Sequence, residues 1–296
     1  MNVGYIGTGA MGRPMIARLT EAFPNRVWIY DVDAELAATV SRETGAVVCG
    51  SVTEIAGKVD VLFTCVPNNQ VVRDLYLGED GVVSAIKPGT ITIDCSTVGP
   101  DATRDVYAGL KSAGAHHLDA SMLGSVLQAE TGTISFVVGG DADAFDAAKP
   151  VLTACGQMIR HCGPSGAGNQ MKLVHQTLVA GHAVAVAEAL GLCLETGTDI
   201  DQFFDIVTGG TGFAYSRYFE NRVPRMRDGE FGALFMLKFM LKDARLARGM
   251  SDKDAGTFPL LEAAISTLEE GDEGGYGDDD FSAAMKVIQD RLNLQL

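Results

Sequence analysis

At 296 residues, 47% apolar and 21% charged, the chain is long enough for two ordinary domains and has a globular composition, which excludes a stapled mini-protein and wholesale disorder. With 23 basic against 38 acidic residues the net charge is −15, which repels phosphate backbones and anionic headgroups, so no nucleic acid and no membrane surface is an expected partner. The six cysteines are scattered, with no Cys-x-x-Cys pair, and read as small core residues of a reducing, cytoplasmic setting, implying neither zinc nor disulfides.

No basic and apolar leader follows Met1, so no secretory signal is expected. Short β-rich runs are predicted at Asn2 to Ile6, Val27 to Tyr30, Ala46 to Val48, Val59 to Cys65, Thr90 to Asp94, His116 to Asp119, Ile134 to Val138 and Met158 to His161. Amphipathic or polar stretches such as Asp33 to Glu43, Gln70 to Tyr76 and Asp101 to Ala113 lie between them. This alternation predicts an α/β fold of parallel βαβ units, a Rossmann-type doubly wound sheet over residues 1–165. Beyond the Gly163 to Gly168 cluster the pattern turns helical, which predicts an all-helical second domain over 166–296, joined by a long helix. That helix carries His175, His182 and Glu188, and its apolar run falls short of the roughly 20 residues of a membrane span. Its low charge on all sides calls for cover, partly by a second subunit.

The first strand runs into Gly7, Thr8, Gly9, Ala10, Met11 and Gly12, a G-x-G-x-x-G, with Pro14 early in the helix. The first glycine allows the tight turn, the second lets backbone approach a pyrophosphate, and the third allows helix and strand to pack closely. Asp31 ends the next strand, roughly 20 residues on, where a carboxylate accepts hydrogen bonds from a ribose. It would repel a 2′-phosphate and no arginine follows it, so NAD is the expected cofactor, in preference to NADP. Cys65, Val66 and Pro67 end the fourth predicted strand, and Cys95, Ser96 and Thr97 the fifth. In such sheets ligands bind beyond the carboxyl ends of the strands, where these turns either shape a nicotinamide site or merely cap helices.

On the long helix Lys172 precedes a stretch, Leu173 to Ala187, with no charged residue. Lys172, His175 and Gln176 share one helical face. Desolvation favours the neutral amine that a general base for an alcohol needs, while the competing reading is a lysine that snorkels to water. His175 reads as a hydrogen-bonded core residue. His116 and His117 point to opposite faces of a strand and do not make a metal site by themselves. Asp278 to Asp280 read as a solvated turn capping a last helix at Phe281, and Gly209 to Gly212 as a turn between helices.

Six segments taken in order, GYIGTGAMGRPM (Gly4 to Met15), the Cys65 to Pro67 turn, IDCSTVGP (Ile93 to Pro100), DASMLGS (Asp119 to Ser125), Gly163 to Lys172 and FMLKDARLA (Phe239 to Ala247), resemble the β-hydroxyacid dehydrogenases typified by 3-hydroxyisobutyrate dehydrogenase. The resemblance covers almost the whole chain. It implies an enzyme acting on a small 3-hydroxy acid as a homodimer or homotetramer. It also implies Lys172 as proton donor and acceptor, Thr97 and Lys242 at the cofactor, and Ser96 near the substrate. Leu123, Gly124 and Ser125 stand where the family carries Ser-Gly-Gly against the substrate carboxylate, and Gln176 stands where it carries asparagine. These departures bear on which acid is bound. The competing functions are reduction of a semialdehyde or imine on the same scaffold, and a dinucleotide-binding module without catalysis; Lys172 argues against both the imine branch and the module.

Overall fold

The structure, a computed structural model, describes residues 1–294. Two compact units divide at Lys172 and Leu173, inside the long helix. In the first unit strands and helices alternate: β1 (Val3–Ile6), α1 (Gly12–Ala22), β2 (Val27–Tyr30), α2 (Ala34–Thr44), β3 (Val47–Val48), α3 (Val52–Ala56), β4 (Val61–Thr64), α4 (Asn69–Leu77), α5 (Val82–Ala85), β5 (Ile91–Asp94), α6 (Pro100–Ser112), β6 (His116–Leu123), α7 (Val126–Glu130), β7 (Ile134–Gly140), α8 (Ala142–Cys155) and β8 (Gly156–Gly163). The strands form one sheet of order β3-β2-β1-β4-β5-β6-β7-β8. Local chemistry sets the element ends: Asp33 accepts from the backbone of Glu35 and Leu36 at the start of α2, and Pro100 opens α6 where its missing N–H costs nothing.

Strand side chains alternate between two apolar layers, Val61 and Phe63 entering one and Leu62 the other. Burial on both faces explains why the central strands β1 and β4 read as apolar runs, whereas the edge strands β3 and β8 are largely exposed. Every neighbouring pair is parallel except β6 and β7, which are antiparallel. The expectation of parallel units throughout is corrected here. The segment from Gly124 to Thr133 is shorter than the dozen or more residues of a parallel crossover, so the chain turns straight back.

In the second unit α9 (Ala167–Thr196, which begins in the first), α10 (Ile200–Gly209), α11 (Arg217–Arg227), α12 (Leu237–Arg248), α13 (Pro259–Gly271) and α14 (Ala284–Leu292) are the α-helices, joined by short 3₁₀ and π segments. By length and composition α9 is long and apolar enough to cross a membrane, with a mean hydropathy of 1.7 in its most apolar window, so the expected shortfall in length does not hold. Half of that window is buried inside the chain: Ala180, Ala183 and Val184 enter one apolar cluster of the second unit, and Val186, Ala187 and Leu190 another. Val174, Leu178 and Leu192 stay more than half exposed along its other side. The acidic loop also departs from expectation. Asp278 and Asp279 pair with Lys238 and Lys286, but Asp280 is fully buried, receives the Arg222 guanidinium at 2.9 Å and caps the turn at Phe281 through Ser282 N. A solvated turn is thus an anchored one, because the carboxylate satisfies Leu234 N and Phe235 N as well.

Candidate active site

The glycine turn after β1 is built as its three glycines require. A Cβ on Gly7, whose φ is +98°, would sit 2.2 Å from the Cys65 carbonyl oxygen, and one on Gly12 would sit 1.9 Å from that of Gly7. At Gly9 a Cβ would meet nothing within 4 Å among the described residues, which leaves open space over the turn. Helix α1 begins there with no side-chain cap and no acidic residue in its first turn. Asp31 lies beside it: one carboxylate oxygen accepts from Thr8 N at 2.6 Å and Thr8 Oγ1 at 2.9 Å, the other from Asp33 N. An open approach, an uncapped helix N-terminus and a carboxylate at the next strand end fit a dinucleotide.

The β4 and β5 exits are tied together beneath that edge. The Ser96 hydroxyl donates to Asp94 Oδ1 at 2.6 Å and accepts Val66 N–H at 2.8 Å, so its hydrogen-bonding capacity supports the Cys65–Pro67 turn. Thr64 Oγ1 and Ser96 N also donate to Asp94 Oδ1. Burial pushes the Asp94 carboxyl up to about 6, against the pull of these hydrogen bonds. Thr97, the next residue, is half-buried. On β6, in register with Asp94, Asp119 accepts from Gly166 N at 2.8 Å and Asn169 N at 2.9 Å; burial raises it too. The Asn169 amide is best satisfied with its nitrogen donating to the Ser96 and Val98 carbonyls and to Ser121 Oγ, and its oxygen accepting from Thr103 Oγ1.

Lys172, one turn beyond Asn169, keeps only 9% of its surface exposed. Leu123, Gly124 and Ser125 leave the carboxyl end of β6; Gly124 has a φ of +141°, and Gln128 Oε1 accepts both the Ser125 N–H (2.9 Å) and its hydroxyl (2.6 Å). In the second unit Gln176, 3% exposed, donates to Asp243 Oδ2 at 2.8 Å, and the Lys242 ammonium lies 3.0 Å from the other Asp243 oxygen. His175 is exposed, with Nδ1 3.2 Å from Gln176 Oε1, which corrects its reading as a core residue. Helical spacing puts it near the Lys172 and Gln176 face, yet outside the buried strip.

Within the first unit the glycine turn, Asp31, Cys65 to Pro67, Ser96, Thr97 and the 123–125 loop therefore stand at the carboxyl ends of parallel strands, while Gln176 and Lys242 are gathered by Asp243 in the second. Sequence reasoning missed Asp94, Asp119, Asn169 and Asp243. For the first two a signal existed, a carboxylate at or inside an apolar strand, which is retained only when paired or hydrogen-bonded.

Fold and site define a dinucleotide-binding oxidoreductase with a Rossmann-type domain and a helical continuation. Residues 2–163 match the NAD binding domain of 6-phosphogluconate dehydrogenase, and residues 166–288 match the NAD-binding region of NADP-dependent 3-hydroxyisobutyrate dehydrogenase. The chain belongs to the hydroxyacid dehydrogenase family of the 3-hydroxyisobutyrate dehydrogenase type. It is 31% identical to the NAD-dependent L-serine dehydrogenase of Pseudomonas aeruginosa over 97% of both chains. It is also 31% identical to Mycobacterium tuberculosis 3-hydroxyisobutyrate dehydrogenase, solved with L-serine, at a TM-score of 0.85 over 97% of this chain and 99% of that one. An imine reductase from Pseudomonas sp. aligns over 97% and 99% of the two chains at a TM-score of 0.62 but 16% identity, a likeness of fold alone.

Proposed function

We propose that this dehydrogenase oxidises the 3-hydroxyl of a small 3-hydroxy acid to the semialdehyde or 3-oxo acid, or runs the reverse, with Lys172 exchanging the hydroxyl proton. The observation that carries this is Lys172 itself, nine-tenths buried and followed by no further charge as far as Ala187. Burying a lysine at such a site carries a desolvation cost that a role in proton transfer would justify. Bound NAD supplies the acceptor for the hydride that leaves the substrate carbon. Backbone groups of Gly7, Gly9, Ala10, Met11 and Gly12 would hold the pyrophosphate at the start of α1, and Asp31 the ribose diol. Cys65, Val66, Pro67, Thr97 and Lys242 are assigned to the rest of the cofactor. Asp31, a fixed carboxylate, supports NAD over NADP.

Leu123, Gly124, Ser125 and Gln176 are assigned to the acid, with Ser96, whose hydroxyl is held by Asp94 and Val66 N–H, bordering it. Ser125 has to release Gln128 in order to donate to a carboxylate, and Leu123 presents apolar bulk, which favours an acid with an added apolar group. Cofactor binding belongs to residues 1–165, and substrate and oligomer contacts to 166–296, in a homodimer or homotetramer whose second copy covers the exposed side of α9. Six free thiols support a reducing cytoplasm.

The test is a panel of 3-hydroxypropionate, 3-hydroxyisobutyrate, 2-ethyl-3-hydroxypropionate and L-serine, followed by NADH absorbance with NAD and then NADP. Lys172→Ala should bind NADH as before and lose about 10²- to 10⁴-fold in kcat on the best substrate. Near wild-type turnover by Lys172→Ala refutes the assignment, and higher kcat/KM with NADP refutes the cofactor preference.

A further inference from the structure

We propose that Asp94 and Asp119 are paired positioning residues, Asp94 setting the turn Cys65–Pro67 and Asp119 setting the start of the helix that carries Lys172. This rests on the reading of Lys172 as the proton-transferring group.

The two carboxylates are register partners on adjacent strands, and both are fully buried. Burial and mutual repulsion both oppose charge there, and an apolar β-branched residue would fill either position at no such cost. What distinguishes the two sites from ordinary core is what the oxygens hold. Asp94 uses a single oxygen: Oδ1 takes Thr64 Oγ1, Ser96 N and Ser96 Oγ, and through that hydroxyl fixes Val66 N–H, while Oδ2 is buried without a hydrogen bond among the described residues. Asp119 uses both, Oδ1 for Gly166 N and Oδ2 for Asn169 N, so a residue of β6 satisfies the first turn of α9 from outside the helix. The fit around it is tight at the backbone level. A Cβ on Gly139 would lie 2.6 Å from Asp119 Oδ1 and 2.8 Å from Ala167 N, and one on Gly168 would lie 2.4 Å from the Asp119 carbonyl oxygen. The helix start thus rests directly on β6 and β7, and Lys172 follows Asn169 by three residues. A misplacement of about 1 Å at a reacting group is enough to cost a large factor in rate.

This difference in oxygen use gives opposite outcomes for the same isosteric change. Asparagine at 94 keeps the one oxygen that matters; at 119 it turns one of two acceptors into an NH₂ facing a backbone N–H. Asp94→Asn should therefore keep its NADH dissociation constant, measured by fluorescence titration, within about twofold of wild type. Asp94→Ala should raise it about tenfold, as expected when buried hydrogen-bonding groups lose their partner. Asp119→Asn should bind NADH normally and lose about 10²-fold in kcat on the best acid of the panel, with little change in KM. If Asp94→Ala fails to fold, Ser96→Ala breaks the same link to Val66 N–H and should weaken NADH in its place. Equal behaviour of Asp94→Asn and Asp94→Ala, or wild-type NADH affinity in Ser96→Ala, overturns the role of Asp94. Lys172→Ala run alongside separates the readings: an inactive Lys172→Ala with Asp119→Asn at wild-type kcat overturns the positioning role alone. A fully active Lys172→Ala overturns both.

Discussion

An imidazole and a carboxyl group buried on neighbouring strands respond to acid in opposite senses. His117 is 2% exposed, its Nδ1 lies 2.7 Å from Thr92 Oγ1, and burial lowers it from 6.5 to about 3. Between those values the unfolded chain holds a proton that the folded one cannot, so this contribution is present above pH 6.5 and is lost as pH falls. Asp94 is raised from 3.8 to about 6, chiefly by burial. Its stabilising share is complete below pH 3.8 and is lost as pH rises through about 6. In the window between pH 4 and 6 the two offset each other, each by up to about 1.4 kcal/mol per pH unit. Asp94→Asn should therefore make unfolding free energy fall more steeply on going from pH 6 to 4, whereas His117→Leu should flatten or reverse that slope. Urea titrations at half-unit intervals measure both, and parallel slopes in all three proteins would refute the assignment.

At the scale of elements, the turn between β1 and α1 separates folding from binding within a few residues. Gly12 has no room for a side chain, since a Cβ would lie 1.9 Å from a backbone oxygen, whereas a Cβ on Gly9 meets nothing within 4 Å among the described residues. Gly12→Ala should cost several kcal/mol, on the order of the larger single-mutation effects, and appear as a large drop in Tm. Gly9→Ala should melt within about 2 °C of wild type yet bind NADH at least tenfold more weakly, because its methyl group would enter the space assigned to the pyrophosphate under the proposed function. Unchanged NADH affinity in Gly9→Ala would place the cofactor elsewhere. The β6–β7 hairpin and the 123–125 loop belong to the same scale. The sequence marked only His116 to Asp119 of β6, whereas the strand continues to Leu123, and the short connection this leaves to Ile134 sets its antiparallel pairing with β7.

For the whole molecule, α9 carries the question of assembly. Its exposed residues Val174, Leu178, Ala185 and Leu192 follow helical spacing along one side, where a lone chain leaves apolar surface in water. Leu178→Glu should shift the particle toward a monomer in light scattering after size exclusion, while leaving the melting transition of the chain itself cooperative; a wild type that is already monomeric would dismiss this face as an assembly surface.

The amino-acid order alone determined the alternating strands and helices of the first 165 residues, the helical remainder, the glycine turn with Asp31, and Lys172 as the unusual charge of the long helix. These follow from periodicity, turn chemistry and spacing, which are properties of residues close in sequence. The tertiary structure decided what those residues touch. Asp94 and Asp119 became neighbours because β5 and β6 pair in parallel, Ser96 was engaged by Asp94 and Val66, Asp280 was buried by Arg222, and His175 was left outside. Each outcome depends on which distant segment arrives to satisfy or desolvate a polar group, and that partner is fixed by the packing of the chain as a whole.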